Sequence, residues 1–325
     1  MKGFNAVVRA VTVGALMAVA CRAAAQQVYP NRPIHLISPY AAGGGNDIVA
    51  RLIGQKLAES WGQQVLVENR PGGNTIIGTD VLAKSPPDGY AIMLAGSGHA
   101  LVPLLMKVPY DPIKDFAPVA TIASGELILV LNLSVPVNNL RELVALAKSK
   151  PGQLNYATYG SGSNSHLGME LFSSNAGIKM QHIPYKSGPP AITDLIGGQV
   201  HMYLSVIPSV LPHIKSGRLK AFAVSGETRS SAVPQVPTFT ESGVPGVDAK
   251  YWHSILAPAG TPKAIIDKMS AEIAKILAMP DIKEKLLSQG LDPFYCTPEQ
   301  FAALLKAETV KYAKVIKDAN IKLEN

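Results

Sequence analysis

The sequence predicts an α/β protein built as two lobes, and three observations predict it. Short apolar runs alternate with longer amphipathic stretches of helical period along most of the chain, the pattern of helices packed on largely parallel sheets. Glycine- and serine-rich turns stand between several of those runs and the helices that follow. Roughly 300 residues remain once an N-terminal leader is set aside, enough for two lobes that each bury a core.

The leader comes first. Lys2 and Arg9 precede a short apolar run over residues 10–20, and Ala23-Ala24-Ala25 stands directly before Gln26. A positive start, a brief apolar core and an A-x-A site describe a cleaved signal peptide, residues 1–25. The run is about half the ~20 residues a membrane-spanning helix needs. A lipidated Cys21 is the rival reading, but Ala18 stands where such sites usually carry Leu. Removing Lys2, Arg9 and Arg22 leaves 27 basic against 23 acidic residues. That mild excess favours an anionic ligand, and without clustered basic and aromatic residues it gives nucleic acid no footing. Cys296 is left without a partner cysteine, so no internal disulfide is expected.

Ile34–Ser38 reads as a first strand, and Ile48, Leu52, Ile53, Leu57 and Trp61 mark one face of the helix after it. Strands follow at 65–67, 91–95 and Leu127–Leu131, then a helix at 140–148. Asn155–Thr158 opens a second α/β set that continues through 182–184, 202–205 and 219–224. After Pro234, Pro237 and Pro245 the chain passes Tyr251–Pro258 and becomes helical to its end. Thr261-Pro262 and Thr297-Pro298-Glu299-Gln300 are helix starts, the latter with a capping box. Crossings near 129–132 and 250–255 would make 26–130 plus 252–325 one lobe and 131–251 the other.

Three loops are placed for binding: Tyr40-Ala41-Ala42-Gly43-Gly44-Gly45-Asn46-Asp47, Gly96-Ser97-Gly98-His99, and Gly160-Ser161-Gly162-Ser163-Asn164-Ser165-His166. Each follows a strand and opens a helix, the place where parallel sheets bind ligands. Helix N-termini present free N–H groups and partial positive charge, so such turns hold an oxyanion without Arg or Lys. Asn74, Tyr185 and Ser205 are further candidates beside the same cleft. Arg70 and Lys186 read as solvated charges. The loops lack the P-loop lysine, the G-x-S-x-G elbow and the third glycine of a dinucleotide fingerprint. No zinc-ligand spacing is present. His166 beside Ser163 or Ser165 keeps a nucleophile–base pair open as an alternative.

These residues resemble the tripartite tricarboxylate transporter receptors, also called Bug proteins. The resemblance rests on Tyr29-Pro30, Arg32-Pro33-Ile34, Pro39-Tyr40-Ala41-Ala42-Gly43-Gly44, Glu68-Asn69-Arg70-Pro71-Gly72-Gly73-Asn74 and Pro87-Asp88-Gly89-Tyr90. Further on it includes Gly162, Ser165-His166-Leu167, Pro184-Tyr185-Lys186, Gly197-Gly198-Gln199-Val200 and Ala257-Pro258-Ala259-Gly260-Thr261-Pro262. It covers residues 28–325 in order. It implies a periplasmic-binding-protein fold of the Venus-flytrap kind, type II-like, with a ligand cleft between lobes. It implies a monomeric periplasmic receptor that hands an organic acid to membrane permease subunits, with no cofactor, metal or catalytic residue.

Family members grip a ligand carboxylate with the first Gly-rich and the Ser-rich loops, here residues 40–47 and 160–166. In this picture Ser161, Ser163 and Ser165 donate hydroxyls while Gly43, Gly44, Gly45 and Gly162 offer amides. Where many relatives carry Asp, this chain has His201 and Ser205, which points to a ligand without an amino group. A dicarboxylate fits, and Tyr40, Tyr251, Trp252 and His253 leave room for an aromatic acid. An exported serine hydrolase, using Ser161 or Ser163 with His166, and a ligand-sensing module for a signalling partner are the alternatives.

Overall fold

The computed structural model describes residues 29–318, so the expected leader and Cys21 lie outside the described residues. β1 (Ile34–Ser38) leads into α1 (Gly45–Trp61), then β2 (Val65–Asn69), a single 3-10 turn (Gly73–Thr75) and α2 (Ile76–Ala83). β3 (Ala91–Gly96), α3 (Gly98–Leu105) and β4 (Phe116–Gly125) complete this run. Residues of α1 recur on one face as Val49, Leu52, Ile53 and Leu57, all buried. The helix stops at Gly62, whose left-handed φ of 64° lets its N–H reach Ala58 O at 3.0 Å.

The second set is β5 (Leu127–Leu131), α4 (Leu140–Ser149), β6 (Asn155–Thr158), α5 (Asn164–Ala176), β7 (Gln181–Pro184), α6 (Gly188–Ile196), β8 (Met202–Val206), α7 (Ile207–Lys215) and β9 (Lys220–Val224). The chain then returns through β10 (Tyr251–Pro258), α8 (Lys263–Ala278), α9 (Pro280–Ser288), the two-residue β11 (Asp292–Pro293) and α10 (Pro298–Asp318). Thr297 and Gln300 exchange the two bonds of a capping box at 3.3 and 3.0 Å. Thr261 does not cap α8; its hydroxyl donates back to Pro258 O at 2.7 Å.

Two sheets result, ordered β11-β4-β10-β3-β1-β2 and β7-β6-β8-β5-β9. Neither is wholly parallel. β10 runs antiparallel to β3 and β4, and β5 antiparallel to β8 and β9. The reason is geometric. The parallel strands of both sheets end at the gap between lobes, as Gly96, Gly125, Val206 and Val224 show by pairing with or beside the first residues of β10 and β5. A chain that crosses the gap starts its next strand there and must run away from it. The first crossing is at Glu126, between β4 and β5, a few residues before the expected 129–132, so Leu127–Leu131 belongs to the second sheet.

Each sheet is covered on both faces. α1, α8 and α9 pack on one face of the first sheet, and a cluster with Leu101, Phe301, Leu305 and Tyr312 lies on the other. In the second lobe, α4 and α5 pack on one face, while α6 and α7 cover the other through Ala191, Leu195, Val210 and Leu211.

Candidate ligand-binding site

A cleft of about 810 Å³, counting its open mouth, lies between the lobes. Helices from both lobes begin on its wall. Gly45 and Asn46 open α1, Thr75 precedes α2, and Gly98 opens α3; opposite them Asn164 opens α5, Gly188 opens α6 and Val206 precedes α7. The backbone N–H groups of Asn46, Gly98, Asn164 and Gly188 meet no protein acceptor among the described residues. Helix dipoles add partial positive charge at the same place. Among the described residues no Asp or Glu stands on the wall, and Lys186 is its one charged side chain. Tyr40, Tyr159, Tyr203, Tyr251 and Trp252 supply aromatic surface. The cleft is built to receive a small anion.

Of the expected contacts, the wall includes Tyr40, Ala41, Gly44, Gly45, Asn46, Asn74, Gly96, Ser97, Gly160 and Ser163. The others stand off it. Ala42 and Gly43 are exposed. Buried Asp47 supports the first loop from beneath, accepting from Gly43 N at 3.0 Å, Arg51 Nε at 2.9 Å and Asn69 Nδ2 at 2.9 Å. Burial works to raise its pKa, but these donors outweigh it and hold the carboxyl below its ordinary value. His99 is buried against Pro112 O at 2.8 Å, and burial lowers its pKa to about 4. The Tyr185 hydroxyl donates to Asp194 at 2.7 Å. Ser205 is fully buried, and His201 sits at the amino end of β8, far from the cleft, bonded to Asn155.

The Ser-rich loop corrects the expected roles of its hydroxyls. Ser163 Oγ donates to Gly160 O at 2.6 Å and accepts from His166 N, capping α5. Ser165 Oγ donates to Leu204 O at 2.5 Å. Ser161 and Gly162 are absent from the wall. Buried carbonyls at the turn need donors, and a serine is the nearest one. The expected amides shift as well: Gly43 N donates to Asp47, Gly45 N to Ser209 Oγ at 3.1 Å, and Gly162 N to His166 Nδ1 at 3.2 Å. Because His166 Nδ1 accepts a backbone N–H and the hydroxyls of Ser163 and Ser165 face carbonyls, neither of these serines forms a nucleophile–base pair with it. His166 instead stacks on His182 with ring centroids 4.1 Å apart.

Several wall positions are fixed by contacts that no local pattern marks. His253 Nε2 meets Asn46 Oδ1 at 2.5 Å. Burial drives the His253 pKa down to about 3, so the ring is neutral and its Nε2 proton orients Asn46. Hydrogen bonds cross between lobes at the cleft, among them Gly45 N to Ser209 Oγ at 3.1 Å and Ser97 Oγ to Asn164 Oδ1 at 3.0 Å. Asn164 also donates to Lys250 O at 3.0 Å and to Tyr312 OH at 3.2 Å. Asn74 and Thr75 hold left-handed φ values of 53° and 77°, backbone strain of the kind found at ligand clamps.

Two α/β lobes, joined by crossings at the ends of their strands and closing helix starts over a shared cleft, define a two-lobed solute-binding receptor. The comparisons agree. The model of the tripartite tricarboxylate transporter family receptor matches residues 49–321, and the chain belongs to that family. It is 37% identical to the protein BugT of Bordetella pertussis over 299 residues, covering 91% of this chain and 92% of that one. The solved structure of R. palustris Rpa4515 with adipate superposes with a TM-score of 0.88 at 33% identity, covering 90% and 99% of the two chains. MatC (Rpa3494) from Rhodopseudomonas palustris with bound malate gives 0.84 at 30% identity, covering 89% and 100%. The protein is a receptor of this family and not an enzyme.

Proposed function

We propose that the protein captures a small organic carboxylate in the periplasm and passes it to the membrane subunits of a tripartite tricarboxylate-type transporter. The observation that carries this reading is the convergence of helix starts from both lobes on a cleft with no carboxylate of its own. Such a wall attracts one negative oxygen pair and offers no partner to a ligand ammonium, which favours an acid without an amino group. The adipate and malate named with its solved relatives are ligands of that kind. We take residues 1–25 to be the export signal and the lobes to be 26–130 plus 252–325 and 131–251, adjusted to the crossing at Glu126.

Capture works by closure. The free N–H groups of Asn46 and Gly98 approach the acid from the first lobe and that of Asn164 from the second. Closing expels water, which strengthens each contact. A hydrogen bond to a charged oxygen contributes about 1.5–3 kcal/mol, so three or four, before entropy costs, bring affinity to about the micromolar range. The test is a thermal-shift screen of the purified mature chain against organic acids, amino acids and sugars, since a ligand raises the melting temperature by mass action. Shifts from amino acids or sugars, with none from carboxylic acids, would overturn the proposal.

A further inference from the structure

We infer that His166 and His182 are positioning residues for capture: from behind the wall they brace the turn at 160–162, on which the second lobe's side of the cleft depends. The inference rests on the carboxylate reading above and adds what keeps its Ser-rich loop in shape. Gly160, Ser163 and Asn164 line the cleft, whereas Thr158, His166 and His182 stand off it. Gly160 and Gly162 hold φ values of 146° and 75°, in a region that side chains seldom enter and that a glycine leaves freely. A turn so built costs entropy to fix each time the lobes close on a ligand, unless the fold has fixed it beforehand.

The brace grips both ends of the turn. At one end Gly162 N donates to His166 Nδ1 at 3.2 Å. At the other, Thr158 Oγ1 accepts from Gly160 N at 3.3 Å, lies 3.2 Å from Gly160 O and meets His182 Nε2 at 2.8 Å. Strand pairing delivers the second imidazole there, because Thr158 ends β6 and His182 of β7 lies opposite Tyr156 in the parallel ladder. The imidazoles are joined to each other: His182 stacks on His166 and on Tyr156, with ring centroids 4.1 and 5.1 Å apart. The Tyr156 hydroxyl holds Glu170, whose carboxylate stands 3.9 Å from His166 Nε2. Burial keeps both rings neutral, lowering the pKa of His166 to about 4 and of His182 to about 3. His166 Nδ1 thus keeps its lone pair for Gly162 and carries the ring's proton on Nε2, toward Glu170.

Two pairs of variants separate bonding from packing, because in each pair the variant closer in shape lacks the polar atom. His166→Leu fills the place of the ring without an acceptor, whereas the smaller His166→Asn puts Oδ1 where Nδ1 was. Thr158→Val keeps the branched shape without the hydroxyl that Thr158→Ser retains. Calorimetric titration uses succinate, malate, adipate and benzoate, and the acid that the wild-type chain binds most tightly is the probe. His166→Leu and Thr158→Val should each weaken its binding about tenfold, while His166→Asn and Thr158→Ser stay within about threefold of wild type. The Gly162 amide resonance should move in His166→Leu and return in His166→Asn. If His166→Leu does not fold, the Thr158 pair decides by itself. Affinities that follow shape, or that are equal within each pair, overturn the inference and leave the carboxylate reading intact. Wild-type protein that binds none of these acids defeats the carboxylate reading itself, and the brace then has no capture to serve.

Discussion

Asn74 of the first lobe and Gly160 of the second meet across the cleft so closely that a Cβ on Gly160 would stand 2.5 Å from Asn74 Oδ1. Asn74 cannot easily retreat, because its Nδ2 is held at Met106 Sδ, 3.0 Å away, and its backbone is left-handed. Gly160→Ala should therefore keep the lobes apart. Strain of this kind amounts to about 1–3 kcal/mol, so affinity for the organic acid that the thermal-shift screen identifies should fall by about tenfold or more. Small-angle scattering with that acid at saturation should report an open form. Adding Asn74→Gly, which suits a φ of 53° and removes the obstructing amide, should restore part of the closure, the φ of 146° at Gly160 limiting the rest.

The hydrogen bonds from Gly45 to Ser209 and from Ser97 to Asn164 act on how long the ligand stays. Removing a neutral bond costs about 0.5–1.5 kcal/mol, so Ser209→Ala and Ser97→Ala should each speed release of the acid that the thermal-shift screen identifies by about two- to tenfold. Stopped-flow dissociation gives the rate. Unchanged release in both variants would show that these bonds do not hold the closed form.

Acid should weaken the fold early. Burial lowers the pKa of His99 and His166 to about 4 and of His182 and His253 to about 3, against 6.5 for a free histidine. The unfolded chain therefore binds more protons than the folded one below about pH 6.5, and stability falls as pH drops from there toward 4. Carboxylates held low by hydrogen bonds, Asp47 among them, lose their contribution only further down. Thermal melts from pH 7.5 to 4 should show this decline, and His182→Gln should flatten it. A melting temperature constant over that range would contradict the burial of neutral imidazoles.

The capping box at the start of α10 gives a local test. Thr297→Ala should cost about 1 kcal/mol, the usual value of an N-cap hydroxyl. Hydrogen exchange should speed up in the first turn of α10 while α8 stays unchanged.

Much of this fold was legible because its signals are local. The apolar period of α1, the box at Thr297 and Gln300, and the glycine-rich turns after β1, β3 and β6 each declare themselves within a few residues. β4 was missed because Pro118 interrupts it and Glu126 alone separates it from β5. The proline is tolerated where β11 does not reach, since β11 pairs only with Ser124 and Ala123. At the site, the loops were found, but the roles within them were not. Which groups a serine hydroxyl faces depends on carbonyls such as Leu204 O that folding brings near. Ser209 comes to the cleft through tertiary contacts alone, and the partners of Asn164 and His253 are set in the same way.

The reversed strand β10 has a bearing on how the molecule is assembled. It lies between β3 and β4 in the first sheet, yet it is made only after every strand of the second. The second lobe has all its strands once residue 224 has emerged, whereas the first waits with a slot open in the middle of its sheet. A chain cut short at residue 250 would therefore hold a finished second lobe beside a first lobe split down its centre, and the last segment to arrive is the one that makes the receptor whole.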